Sequence, residues 1–144
     1  MQPVSIFNGS IQVSLRTGPD ICDATRELEH LIGQSKITDG TLNATMVGST
    51  GSITTIEFEP GVIEDLKGAI NLLAPPGAEY AHEKAWHDGN GHSHVQAALL
   101  GPSIVLPVRG GSLCLGTWQQ VVAINHDNRP RKRTIEVTIL GIAG

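Results

Sequence analysis

The chain has 144 residues, 40% of them apolar and 17% charged, which supplies one domain with its own core and excludes a disordered polymer. A net charge of −4 argues against a general polyanion binder, so no nucleic-acid partner is expected. No run approaches the ~18 apolar residues of a membrane span and no charged stretch leads into an apolar run at the start, so a cytoplasmic protein without a membrane partner is expected.

Ile11, Val13 and Leu15 alternate with polar residues behind Asn8-Gly9, which predicts a hairpin entering a half-buried strand. From Asp20 the period changes, because Ile21, Ala24, Leu28, Leu31 and Ile32 share a helical face, with Asp20 placed to cap the start and Gly33 the end. After a turn at Thr38-Asp39-Gly40, the β-branched stretch Thr41 to Phe58, broken by Gly48-Ser49-Thr50-Gly51-Ser52, predicts two strand segments around a bend. Pro60 opens a second helix whose stripe is Val62, Ile63, Leu66, Ile70 and Leu73, and Pro75-Pro76 stops it. A polar stretch runs from Gly77 to Gly91. Ser93-His94-Val95-Gln96 then has the form of a capping box, predicting a short third helix over about His94 to Leu100. The remainder alternates as strands at Ile104 to Val108, Ser112 to Leu115, Trp118 to Ile124 and Thr134 to Leu140, with Ile135, Val137 and Ile139 inward. Most connections are too short for parallel crossovers. The expected architecture is a single domain over residues 1–144 of the α+β class, an antiparallel sheet or two-layer β assembly carrying two main helices and a short third. Cys22 and Cys114 lie far apart in apolar settings and read as small buried thiols.

The densest polar segment is Tyr80 to His94, which holds His82, His87, His92 and His94, four of the six histidines. Neutral imidazole is the commonest metal ligand, and His92-x-His94 with His82 across a loop could give three nitrogens to a divalent metal, zinc as first choice; exposed loop histidines are the alternative. The Gly48 to Ser52 bend has no P-loop lysine, so nucleotide triphosphates are not indicated, but Ser49, Thr50 and their amides could hold a phosphate in what is otherwise a plain turn. Glu57 and Glu59 share a face before the second helix, as ligand, general base or helix N-terminal charge. Trp118 reads as a core indole or a stacking platform, and Gln119 could reach a substrate. Arg129 and Arg131 are either solvated turn charges or a bidentate partner for phosphate. Ser103 and Cys114 lack a flanking base, so no covalent nucleophile is indicated.

Tyr80-x-His82, Trp86-His87-Asp88-Gly89-Asn90-Gly91-His92-Ser93-His94, Ala98-Leu99-Leu100-Gly101-Pro102-Ser103, Leu113-x-Leu115-Gly116-Thr117-Trp118-Gln119-Gln120 and Asp127-x-Arg129-Pro130-Arg131 together resemble the YjbQ-like family over nearly the whole chain. The resemblance implies a compact α+β subunit forming a homotrimer, a metal site at the histidines, and a weak secondary thiamine-phosphate synthase activity. It implies catalytic roles for Glu57, Asp88 and His94, and substrate contacts from Asn90 and Gln119. The sequence departs from the family at Gly48, where a site histidine is usual, and at Asn125, where an acidic residue is usual; His92 is then the candidate third ligand.

Two functions follow as expectations. One is a metal-assisted enzyme acting on a small phosphorylated or otherwise anionic metabolite. The other is a non-enzymatic metal- or ligand-binding oligomer.

Overall fold

A computed structural model describes residues 2–144. The elements are β1 (Ser5–Leu15), β2 (Asp20–Asp23), α1 (Thr25–Ser35), β3 (Asp39–Val47), β4 (Gly51–Glu57), α2 (Pro60–Leu73), α3 (Ala81–Trp86), α4 (Gly91–Leu100), β5 (Ser103–Arg109), β6 (Ser112–Leu113), β7 (Gln119–Asn125) and β8 (Arg131–Ile142). They form two antiparallel sheets, one of five strands in the order β1-β8-β3-β5-β6 and one of three in the order β2-β7-β4. The α+β expectation holds.

The two sheets face each other through one core. Val121 and Ala123 of β7 join Leu42, Ile135, Val137 and Ile139 from the larger sheet, and Leu28, Leu31 and Ile32 of α1 complete the cluster. The other face of the smaller sheet, Val122 and Ile124, meets Ile63 and Ile70 of α2. β7 is therefore buried on both faces, which explains why its sequence Val121-Val122-Ala123-Ile124 runs without alternation. β8 alternates, and its inward set is the expected Ile135, Val137 and Ile139.

Several elements depart from the expectation for identifiable reasons. Asn8-Gly9 does not turn but lies inside β1, opposite Thr138 and Val137. Gly9 is used for packing, since a Cβ there would sit 3.0 Å from the Leu31 side chain. Asp20 to Asp23 form a strand against Val122 to Asn125, and the helix starts only at Thr25, whose N–H donates to Asp23 Oδ1. Apolar spacing could not separate this short strand from a first helical turn. α1 runs through Gly33 and ends at Lys36, which adopts φ 62°. Part of the supposed polar loop is α3, and α4 begins at Gly91 with Asn90 before it, so Ser93 lies inside the helix and no capping box forms. Cys114 is exposed, and burial, with Asp20 nearby, pushes the half-buried Cys22 thiol up to about 11. Trp118 is also exposed rather than a core indole. Among the described residues no helix is long and apolar enough to cross a membrane.

Candidate functional site

The α3–α4 pair makes the site from a short run of sequence. Glu83, on α3, accepts a hydrogen bond from the Gly91 N–H at 3.0 Å, tying the first turn of α4 to α3. Gly91 has to be glycine here, because a Cβ would lie 2.5 Å from Tyr80 Cβ and 2.6 Å from Glu83 Oε2. This closure brings the His82 and His94 rings to a centroid separation of 4.7 Å. His82 Nε2 is 3.0 Å from Asp88 Oδ1. Buried Asn90, oriented with its amide nitrogen toward the pair, donates to Asp88 Oδ1 at 2.8 Å and sets that nitrogen 2.9 Å from His82 Nε2. The Asp88 carbonyl in turn accepts from Asn128 Nδ2 at 2.8 Å, which anchors this loop to the turn before β8.

His92 does not belong to this group. Residues two apart on a helix point some 200° apart, so once α4 starts at Gly91 the rings of His92 and His94 diverge. His92 is buried, its ring centroid 6.3 Å from that of Tyr80, and burial lowers its pKa. Among the described residues, the set whose metal-binding atoms lie within 4.8 Å of one another is His82, Glu83 and Asp88. The three imidazoles expected together are therefore not brought together: His82 lies with two carboxylates and with the His94 ring alongside, and His92 lies apart. His87, which ends α3 at φ 54°, is exposed.

His94 also lines a cavity of about 500 Å³ whose other walls are Gly48, Ser49, Gly51, Ala97, Ala98 and Pro102. It thus touches both the carboxylate–histidine cluster and an open cleft. Ser49 faces this cleft, but Thr50 does not have a free hydroxyl: its Oγ1 donates to Asp127 Oδ2 at 3.0 Å and accepts from Arg133 Nη2 at 2.6 Å. Arg131 is likewise committed, with Nε and Nη2 each 2.9 Å from Asp127 Oδ2. Burial acts to raise the Asp127 carboxyl, but the bonds from Thr50 and Arg131, the Arg131 charge and the Asn128 N–H outweigh it and hold it below its usual range. Arg129 is exposed.

Glu57 and Gln119 pair with each other at one end of the smaller sheet, while Gly51 and Asn125 pair at the other. The two ends are six residue steps apart along the strand, about 20 Å. Neither Glu57 nor Gln119 reaches the histidine cluster of its own chain, and the Gln119 amide is spent on the Gly116 N–H and Thr55 Oγ1. Glu59 caps α2, accepting from Gly61 and Val62, which lower its pKa.

Beneath the cavity lies a polar web that the sequence reading passed over. Arg133 Nη2 donates to Asn125 Oδ1 at 2.7 Å as well as to Thr50. Beside it, Ser52 Oγ is 2.7 Å from His126 Nε2, and His126 Nδ1 is 3.0 Å from Gln96 Oε1. Gln96 Nε2 already donates to Asn71 Oδ1 and the Ala74 carbonyl, so its oxygen accepts the Nδ1 proton and Nε2 accepts from Ser52. The arrangement has the outline of a serine–base pair, but Ser52 and His126 are sealed from solvent, and their role is to join α4 to the smaller sheet. Strand parity was the available signal for Arg133: it shares the inward face of β8 with Ile135, Val137 and Ile139.

The profile of the family described as UPF0047 protein YjbQ-like matches residues 9–142. A UPF0047 protein of Archaeoglobus fulgidus is 33% identical over 132 residues, spanning 90% of this chain and 100% of the relative. Another, from Methanothermobacter thermautotrophicus, is 34% identical over 132 residues and 90% of each chain. The crystal structure of a Sulfolobus solfataricus protein described as YbjQ-like and of unknown function superposes with a TM-score of 0.91 at 32% identity, over 96% of this chain and 99% of that one.

Proposed function

The chain belongs to the UPF0047, YjbQ-like family, and from that premise we propose that it binds a divalent cation at His82 and Asp88 and acts on a small phosphorylated metabolite in the adjoining cavity. The observation that carries this reading is the position of His94, which packs on His82 and lines the cavity. The donor set suits the ion: one imidazole nitrogen and two carboxylates within 4.8 Å of one another match the nitrogen and oxygen ligands of zinc and related divalent cations. Bound there, the cation would supply Lewis acidity toward an oxygen carrying developing charge. His82, Asp88 and Glu83 would hold it. Asn90 fixes His82 and Asp88 in register, and His94 is placed to exchange a proton with, or orient, a group in the cavity.

The reaction class that the family resemblance implies is transfer with loss of pyrophosphate, with thiamine-phosphate formation as the named candidate. There a pyrimidine-methyl carbon loses pyrophosphate and a thiazole nitrogen attacks it; the protein's task is to hold the departing negative charge, and no side chain has to form a covalent bond. The test combines elemental analysis of protein purified without chelator with product formation from the pyrimidine pyrophosphate and thiazole phosphate. Stoichiometric divalent metal is expected in the wild type and is lost in His82→Ala. Turnover in His94→Ala should fall about 10²-fold, the usual cost of one positioned polar group. Metal content unchanged in His82→Ala, or turnover unaffected by His94→Ala, overturns the reading. A non-enzymatic metal-binding role is the outcome if metal is bound through His82 and no phosphorylated substrate turns over.

A further inference from the structure

Arg133 is 6% exposed, and both of its hydrogen bonds leave from Nη2. Its Nε is the one buried side-chain nitrogen or oxygen among the described residues that lacks a partner. Nη1 likewise makes no hydrogen bond, and it stands 2.7 Å from the position a Cβ on Gly48 would occupy, while Nε stands 3.3 Å from that of Gly51. Gly48 and Gly51 both line the cavity. The guanidinium is therefore packed against the glycine wall of the cleft, where a side chain on Gly48 would displace it.

The charges around it do not cancel. Arg133 and Arg131 share a single carboxylate, Asp127, and Asn125, which accepts from Arg133, is neutral. His126 is held neutral at ordinary pH and contributes nothing. Arg131, at 35% exposed, also draws on solvent and takes both of its bonds to Asp127, whereas buried Arg133 bonds only neutral acceptors, so an anion in the cleft would gain from its charge. In the same turn, whose Gly48, Ser49 and Gly51 line the cavity, the amides of Gly48, Ser49 and Thr50 donate to no described residue. Successive free amides in a turn form the kind of concavity that binds oxyanions.

We propose that the Gly48–Gly51 wall of the cavity is a phosphoryl-binding seat, with Arg133 as its fixed positive charge and the turn amides and Ser49 hydroxyl as its donors. The proposal deepens the functional reading above by naming where the metabolite's phosphate sits, and it assigns that task to Arg133 instead of to Arg129 or Arg131. Gly48 is required by this arrangement on two grounds: its φ is 127°, and Arg133 Nη1 fills its side-chain space.

Calorimetric titration with inorganic phosphate at low ionic strength, on the full chain, tests the seat directly. The wild type binds phosphate. Arg133→Gln weakens binding about tenfold or more, as expected for loss of hydrogen bonds from a charged donor. Ser49→Asp, at an exposed position that leaves the polar web intact, weakens it in the same direction by placing a like charge in the seat, and decides the matter if Arg133→Gln does not fold. His82→Ala retains phosphate binding, which separates this proposal from the metal reading: a chain that binds phosphate through Arg133 but takes up no metal keeps the seat and loses the metal. No phosphate binding by wild type at millimolar concentration, or unchanged affinity in folded Arg133→Gln or Ser49→Asp, overturns it.

Discussion

A buried imidazole with a serine hydroxyl on one nitrogen and an amide oxygen on the other can take a proton only if the Ser52 hydroxyl turns its own hydrogen away and accepts instead. For His126, burial first, then the Arg133 and His92 charges, depress the pKa from 6.5 to about 4. The unfolded chain takes up a proton below 6.5 that the folded chain refuses until about 4, so stability rises with pH across that interval and is lost as pH falls through it. The full effect is about 3 kcal/mol. Urea unfolding between pH 7 and 4 should show this slope, reinforced by His92, whose pKa shifts the same way. His126→Phe should be less stable at pH 7, because Ser52 and Gln96 lose their partner, and should show a flatter slope; an unchanged slope would mean that His126 is not the group responsible. The residue scale is also where the sequence was least legible. His82, Asp88, Asn90 and His94 are visible as a dense polar run, but the tie of Thr50 to Asp127 is not, because the two lie 77 residues apart in sequence. The departure at Gly48 reads differently once Arg133 is in view. A histidine there must displace Nη1 and adopt φ 127°, so Gly48→His is expected to lower stability and not to raise activity.

At the scale of elements, the site depends on how tightly α3 closes on α4, and that is set by Gly91. Gly91→Ala brings a methyl carbon within 2.6 Å of Tyr80 Cβ and Glu83 Oε2, so the helices must separate. A loss of about 1–3 kcal/mol is expected from overpacking of this kind. Because the movement also pulls His82 from His94, metal uptake should weaken more than in Gly33→Ala, a helical glycine whose Cβ would meet nothing within 4 Å and which serves as the control. Thermal melts with and without added zinc compare the two; equal behaviour would show that α3 is not needed for the site. Long periodic elements were read correctly from sequence, notably α2 with Pro60 at its start and the inward parity of β8. The short ones, β2 and α3, were missed, since a strand of four residues and a helix of six carry too few apolar positions to display a period.

For the whole molecule the open question is what covers its apolar exterior. β1 is an edge strand of 11 residues with Ile6 exposed, and Leu72, Leu73, Val95 and Leu99 are exposed on α2 and α4. Long uncapped edges and exposed apolar side chains favour association. A homotrimer, which the family resemblance implies, is the expected state, and light scattering that reports a particle of 15.2 kDa at micromolar concentration would exclude it. Association would also give Glu57, Gln119 and Arg129 a use. Glu57 and Gln119 lie about 20 Å along the smaller sheet from Gly51, so these two residues can serve a site only by reaching that of a neighbouring copy, while exposed Arg129 follows Asn128, which bonds the Asp88 loop, and is free to face either site. The expected signature is complementation. His94→Ala and Gln119→Ala chains should each be strongly impaired alone, whereas oligomers reassembled from a mixture should recover activity, because some sites then take an intact His94 from one copy and an intact Gln119 from another. If the mixture is no more active than its parts, Gln119 belongs to the fold of its own sheet, where its amide already bonds Thr55 and Gly116, and the site is complete within one chain.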